Sequence, residues 1–186
     1  IIIALDEGTT NAKAVAIDPQ GKVLCKFSQT LSIQTPREGW VEQNGEMLIE
    51  ASIKVIPQAI AFVGAEKVAA LAISNQRETA IGWYRGNGKP INAAITWQCS
   101  RTADYCESIR KDQLEENVKA ITGLPVAPLF SGSKMRWLID AIPNGRSLAS
   151  STQFLPNTER HGRLRKRWRK WQNAVERTLW KSGLNK

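Results

Sequence analysis

The apolar positions of the first thirty residues fall in short runs of strand length. Ile1 to Leu5 is continuously apolar and ends at Asp6, Ala12 to Ile17 carries Val15 and Ile17, and Val23 to Leu31 alternates with polar residues. Gly8-Thr9-Thr10 and Pro19-Gln20-Gly21 separate the runs with turn-forming residues, which predicts a hairpin followed by a third strand. The period then changes. Between Glu46 and Val63, Ile49, Ile53, Ile56 and Ile60 recur at the spacing of one helix face, with Pro57 expected to kink the helix. Val68 to Ser74 reads as a short strand. Ala80 to Tyr84 and Ala94 to Trp97 read as further strands around the turn Arg85-Gly86-Asn87-Gly88, and helices are expected near Arg101 to Ala120 and Ser133 to Ile142. Strands first, then strands mixed with helices, imply an α/β layered domain.

Composition narrows the function classes. The 186 residues are 42% hydrophobic and 23% charged, which is the composition of a globular chain with a core. No apolar run approaches the length of a membrane span, so a cytoplasmic protein is expected. Cys25, Cys99 and Cys106 are odd in number and lack paired spacing, which argues for reduced thiols and against zinc or redox chemistry. The single histidine, His161, sits in a basic stretch, so a histidine base or ligand set has almost nothing to draw on. Carboxylate and metal–phosphate chemistry remain open. Because the chain begins at Ile1, a partial sequence is expected.

Two short segments stand out chemically. Asp6-Glu7-Gly8-Thr9-Thr10-Asn11 puts a carboxylate and small polar side chains at a hairpin tip. Gly8 permits close approach of a ligand, the turn amides and the Thr9 and Thr10 hydroxyls can donate to phosphate oxygens, and Asp6 can hold hydrated magnesium. Taken alone, the segment reads as an ordinary hairpin turn, since such sequences also occur in turns with no ligand. Asn75-Gln76-Arg77-Glu78-Thr79 follows a strand at the end where open α/β sheets bind ligands. Arg77 offers a rigid fork of donors and Glu78 a pair of acceptors, which suits vicinal hydroxyls, although an isolated Arg-Glu pair is more often a surface pair. Trp97 supplies an apolar wall or a core side chain.

Six ordered segments then decide between these readings: Ala4 to Thr10, Gly39-Trp40-Val41-Glu42-Gln43, Ile73 to Thr79, Gly88-Lys89-Pro90-Ile91, Thr96 to Thr102, and Thr122-Gly123-Leu124. In order and spacing they resemble the FGGY carbohydrate kinases, and the Asn-Gln-Arg-Glu-Thr and Thr-Trp-Gln segments are most similar to the glycerol-phosphorylating members. The resemblance covers residues 1 to about 144. It implies an actin-like ATPase (ribonuclease H-like) fold, here the N-terminal half of a two-domain kinase. It further implies that Gly8, Thr9, Thr10, Asn11 and Lys13 face the phosphates of ATP, that Asp6 lies near Mg2+, and that Arg77, Glu78 and Trp97 line a glycerol site. The proton-accepting aspartate and the adenosine loops belong to the family's later half, so this chain alone is expected to be inactive and intact relatives to be homo-oligomeric. Two positions depart from the family. Leu129 in Ala127-Pro128-Leu129-Phe130 stands where a substrate-touching tyrosine is usual, which opens the site to another sugar or polyol, and Lys13 stands where many members carry arginine.

The end of the chain reads differently. Residues 1–144 hold 15 Lys/Arg and 15 Asp/Glu, whereas residues 145–186 hold 11 and 2, so the whole charge of +9 lies in the last stretch. Phe154-Leu155-Pro156 and Arg163 to Trp171 match no expected family segment. A shifted reading frame that makes residues 145–186 non-native to the family is the preferred account. The alternative is a basic amphipathic helix, with Leu164, Trp168, Trp171, Val175 and Leu179 on one face, that binds nucleic acid, lipid or a partner protein and makes the chain a catalytically dead binding module.

Overall fold

The computed structural model describes residues 1–84, 87–111 and 114–141, together with the backbone of 152–156. The predicted basic helix of the last stretch, His161, and residues 85 and 86 of the turn after Tyr84 lie outside the described residues.

The chain opens as predicted, with β1 (Ile2–Glu7), β2 (Asn11–Ile17) and β3 (Val23–Thr30) joined as successive antiparallel hairpins. After the helix α1 (Gly45–Val63), the strand β5 (Ala70–Asn75) returns parallel to β1, giving a four-stranded sheet in the order β3-β2-β1-β5. A long crossover is what a parallel return requires, and α1 supplies it. Asn44 starts the helix by accepting from the Glu46 and Met47 amides at 2.8 and 3.3 Å, and Gly64 ends it with a positive φ.

The helix is assigned without interruption through Pro57. Its buried face differs from the expected isoleucine stripe. Leu48, Ala51, Ser52, Val55, Ile56, Ala59 and Val63 are buried, whereas Ile49 is 43% exposed. The reason is closeness: Ala51 and Ala59 let the helix axis settle onto the sheet, and the larger side chains flank the contact. Val55, Ile56, Ala59 and Val63 meet Ile3, Leu5, Ala14 and Ala16 in the main apolar core.

A second sheet has the order β4-β7-β6-β8, made of β4 (Glu42–Gln43), β6 (Ala80–Tyr84), β7 (Ala94–Ile95) and β8 (Thr152–Pro156). The predicted strand to Trp97 stops at Ile95 because the Thr96 amide turns to the Val41 carbonyl and Cys99 closes a turn back onto Thr96. The single helix expected over 101–120 is two, α2 (Ala103–Lys111) and α3 (Glu115–Thr122). The chain folds back there because Arg110 donates to the Val126 carbonyl at 2.8 Å and Glu115 accepts from the Val126 amide at 3.1 Å. The last helix, α4 (Ser131–Ala141), packs Leu138 against Ala80, Ile95 and Cys99. Beyond it, β8 lies antiparallel to β6 with Ala80 opposite Pro156 and Tyr84 opposite Thr152. Residues 152–156, read from the sequence as foreign, thus form an edge strand of the second sheet.

The two sheets meet where α1 begins. A Cβ on Gly45 would come within 2.3 Å of the terminal methyl of Ile81, which would have to move to admit it. None of the helices among the described residues is long and apolar enough to cross a membrane.

Candidate functional site

The parallel pairing of β1 and β5 brings the ends of two strands together. Glu7 stands opposite Asn75, and the next amide, that of Gln76, donates to the Glu7 carbonyl at 2.7 Å. The hairpin tip and the Asn75 to Thr79 loop therefore leave the same edge of the sheet, the carboxyl end at which such folds bind ligands.

A buried amide ties them further. Gln43, fully enclosed, donates from Nε2 to the Thr9 carbonyl at 2.7 Å and accepts from Gln76 Nε2 at 2.7 Å. From the other side, Trp97 Nε1 donates to Thr9 Oγ1 at 3.0 Å. Thr9 is thus gripped through both backbone and side chain by residues far away in sequence. Gly8 closes the tip, its amide on the Asn11 carbonyl at 2.9 Å, and Asn11 donates to the Thr10 hydroxyl at 3.1 Å.

Strand alternation sorts the carboxylates of the tip. Ile3 and Leu5 face α1, so Asp6 faces away, exposed, with Lys13 across the hairpin at 3.9 Å. Glu7 continues the inward row, and burial pushes its carboxyl up to about 7. Sequence reasoning singled out Asp6 and passed over Glu7, although the same alternation that buries Leu5 predicts an inward side chain two residues on.

The other predicted site residues take distinct places. Arg77 is exposed. Trp97 is 41% exposed, so it is no core side chain. Glu78 has φ +63, and its Oε2 accepts from the Ser131 amide at 3.0 Å and the Ser131 hydroxyl at 2.9 Å, at the first turn of α4. Leu129, 42% exposed, lies just before that turn. Thr79 Oγ1 is buried without a hydrogen-bond partner among the described residues.

Two of the ordered segments meet behind this edge. The Arg101 guanidinium is stacked 3.8 Å from the ring of Trp40 and 4.7 Å from that of Trp137, and it pairs with Glu42 at 2.6 Å. The two indoles meet edge to face, 5.3 Å apart at 89°, and the planar cation lies against both. Sequence reasoning used Gly39 to Gln43 and Thr96 to Thr102 as landmarks and did not foresee this joint. A groove of about 280 Å³ between α2 and α4, lined by Tyr105, Ser133, Arg136, Trp137 and Asp140, contains none of the predicted site residues.

Comparison with known proteins places the chain in a family. The N-terminal domain of the FGGY family of carbohydrate kinases matches residues 1–156, so the likeness runs past 144 and takes in β8. Glycerol kinases of Enterobacter sp. (strain 638) and Salmonella newport (strain SL254) are 39% and 40% identical over 159 residues, 84% of this chain and 32% of each relative. The chain spans about a third of the length of the curated relatives it matches. Among solved structures, Plasmodium falciparum glycerol kinase with ADP superposes with TM-score 0.75 at 22% identity, over 83% of this chain and 32% of that one. Gluconate kinase from Lactobacillus acidophilus gives 0.73 at 22%, over 83% and 30%. The described residues thus have the α/β fold of the actin-like ATPase N-terminal domain, and the chain belongs to the FGGY family of carbohydrate kinases.

Proposed function

We propose that this chain provides the phosphate-holding and polyol-holding half of an ATP-dependent kinase, with glycerol as the first candidate substrate. The observation that carries the reading is the Gln76–Gln43–Thr9–Trp97 junction, which fixes the hairpin tip beside the Arg77-Glu78 loop at one sheet edge. In this reading Gly8, Thr9, Thr10, Asn11 and Lys13 hold the nucleotide phosphates, and Arg77, Glu78 and Trp97 surround the alcohol. Phosphoryl transfer depends chiefly on alignment and neutralisation of charge, which such a junction serves.

Magnesium fits the tip in one way. No cluster of three potential metal ligands occurs among the described residues, but Asp6 is an exposed carboxylate beside the turn amides. Asp6 would hold the ion through its water shell, as magnesium prefers, and the ion would offset phosphate charge. The proton-accepting group is sought outside this chain.

Leu129 bears on the choice of alcohol. An apolar side chain on the site wall in place of a hydroxyl removes one hydrogen-bond partner, which favours a different polyol or weakens binding by about 1–3 kcal/mol. The test is calorimetric titration of the chain with MgATP and with glycerol, xylulose and gluconate. Saturable MgATP binding that Thr9→Val weakens, together with polyol binding that Arg77→Ala abolishes, is the expected result. MgATP affinity unchanged in Thr9→Val removes the tip assignment, and polyol affinity unchanged in Arg77→Ala removes the alcohol site.

The basic remainder beyond β8 is read as a product of a shifted frame. Translating the downstream DNA in all three frames checks this: the later kinase half in a different frame supports it, and an intergenic sequence without one counts against it.

A further inference from the structure

Helix α4 carries a lysine that the kinase reading does not use and that a solvated helix would not bury. Lys134 has no exposed surface. Lysine is almost never enclosed without a partner. Its Nζ donates to the Leu129 carbonyl, and Glu78 is the largest charge that favours its ammonium form. Cys99 and Cys106 add smaller effects of the same sign, while burial outweighs all three and brings the amine down to about 8.

Glu78 for its part needs holding. It is the one non-glycine residue with positive φ among the described residues. Such a conformation persists only where its surroundings over-determine it, and it tends to mark functional sites. Ser131 supplies two donors to Oε2, at a helix start whose unpaired amides favour negative charge. Ser131, Lys134 and Leu138 share the buried face of α4, so the donor to Glu78 and the enclosed cation lie one turn apart.

We propose that Lys134 is a positioning residue of the polyol site, a buried cation that anchors the Leu129 carbonyl and so fixes the first turn of α4, from which Ser131 one turn away holds the Glu78 carboxylate. With Oε2 held by Ser131, Oε1 is the oxygen left to accept from a substrate hydroxyl. One side chain thereby sets both the acceptor and the apolar surface beside it. This role rests on the polyol reading of Arg77, Glu78 and Trp97, and Lys134 itself touches no substrate.

The test uses the whole chain, 15N-labelled, as wild type, Lys134→Met and Lys134→Arg. Hydrogen-exchange protection of the Ser131 amide reports the seating of Glu78 whether or not a polyol binds, and the Trp97 indole resonance reports glycerol. Lys134→Met is expected to lower Ser131 protection and glycerol affinity by about tenfold each, and Lys134→Arg, which keeps the charge, to restore most of both. In the wild type, protection corrected for intrinsic exchange should also fall as pH passes about 8, where Lys134 gives up its proton, and this fall should vanish in Lys134→Arg. Unchanged Ser131 protection in Lys134→Met, or a flat wild-type profile if that variant does not fold, overturns the proposal. Lost protection with no glycerol response in the wild type upholds the seating by Lys134 and overturns the polyol reading instead.

Discussion

The first sheet closes on α1 with Ile3, Leu5, Val55 and Ile56, whereas the second closes with Gln43, Thr79, Thr96, Thr102 and Lys134 among its buried residues. The first arrangement is cheap to form and indifferent to direction, because apolar contacts have no donors or acceptors to align. The second is directional. Enclosed polar groups there depend on aligned partners, as Thr96 finds the Val41 carbonyl at 3.2 Å and Thr102 finds Ser133 at 2.8 Å, while Thr79 Oγ1 has none among the described residues. The difference teaches that the aliphatic layer gives the fold its stability and the polar layer gives the sheet edge its shape.

The contrast can be broken at its strongest point by Ile56→Ala. This opens a cavity beneath the first sheet and should cost about 2–5 kcal/mol in urea unfolding, without altering which ligands bind. Gln43→Leu keeps the volume but removes the side-chain donor to the Thr9 carbonyl and the acceptor of Gln76 Nε2. A loss of about 1–3 kcal/mol is expected, together with much faster hydrogen exchange at the hairpin tip, and an unchanged tip would dissolve the claim that Gln43 shapes the edge. Asn44→Ala removes the start of α1, at a cost of about 1 kcal/mol in the same unfolding assay.

The pH dependence gives the finest test. Glu7 titrates from 4.5 in the unfolded chain to about 7 in the fold, so the folded state keeps a proton that the unfolded state releases between these values. Stability from this group is therefore present on the acid side and is lost as pH rises through about 7. The urea midpoint should fall between about pH 5 and about pH 8 in the wild type and fall less in Glu7→Gln.

The aliphatic half was readable in the sequence because its signals are local. Alternation and turn residues placed β1, β2 and β3 nearly to the residue, and the apolar period placed α1 from Glu46, one residue inside its observed start at Gly45. The isoleucine stripe was right at Ile56 and Ile60, which reach the core, and wrong at Ile49, which is exposed where smaller residues such as Ala51 face the sheet. The polar half was readable only through resemblance, since Gln43 and Trp97 matter through Thr9, 34 and 88 positions away. Lys134 carried a signal that was missed: it falls between Ser131 and Leu138 on one helical face. Nothing local announced that Glu78 would reach across to α4.

The bond between Trp97 and Thr9 has one direction only, since an indole nitrogen has a proton to give and no lone pair to offer. The threonine hydroxyl accepts there with one lone pair, which leaves its own hydrogen available to an anion at the turn. Drawing on that hydrogen sharpens the pull on the indole in its turn, so under the proposed assignment a phosphate at the turn would stiffen the ring proposed to face the alcohol. Two reactants that never touch the same side chain would still register each other's presence.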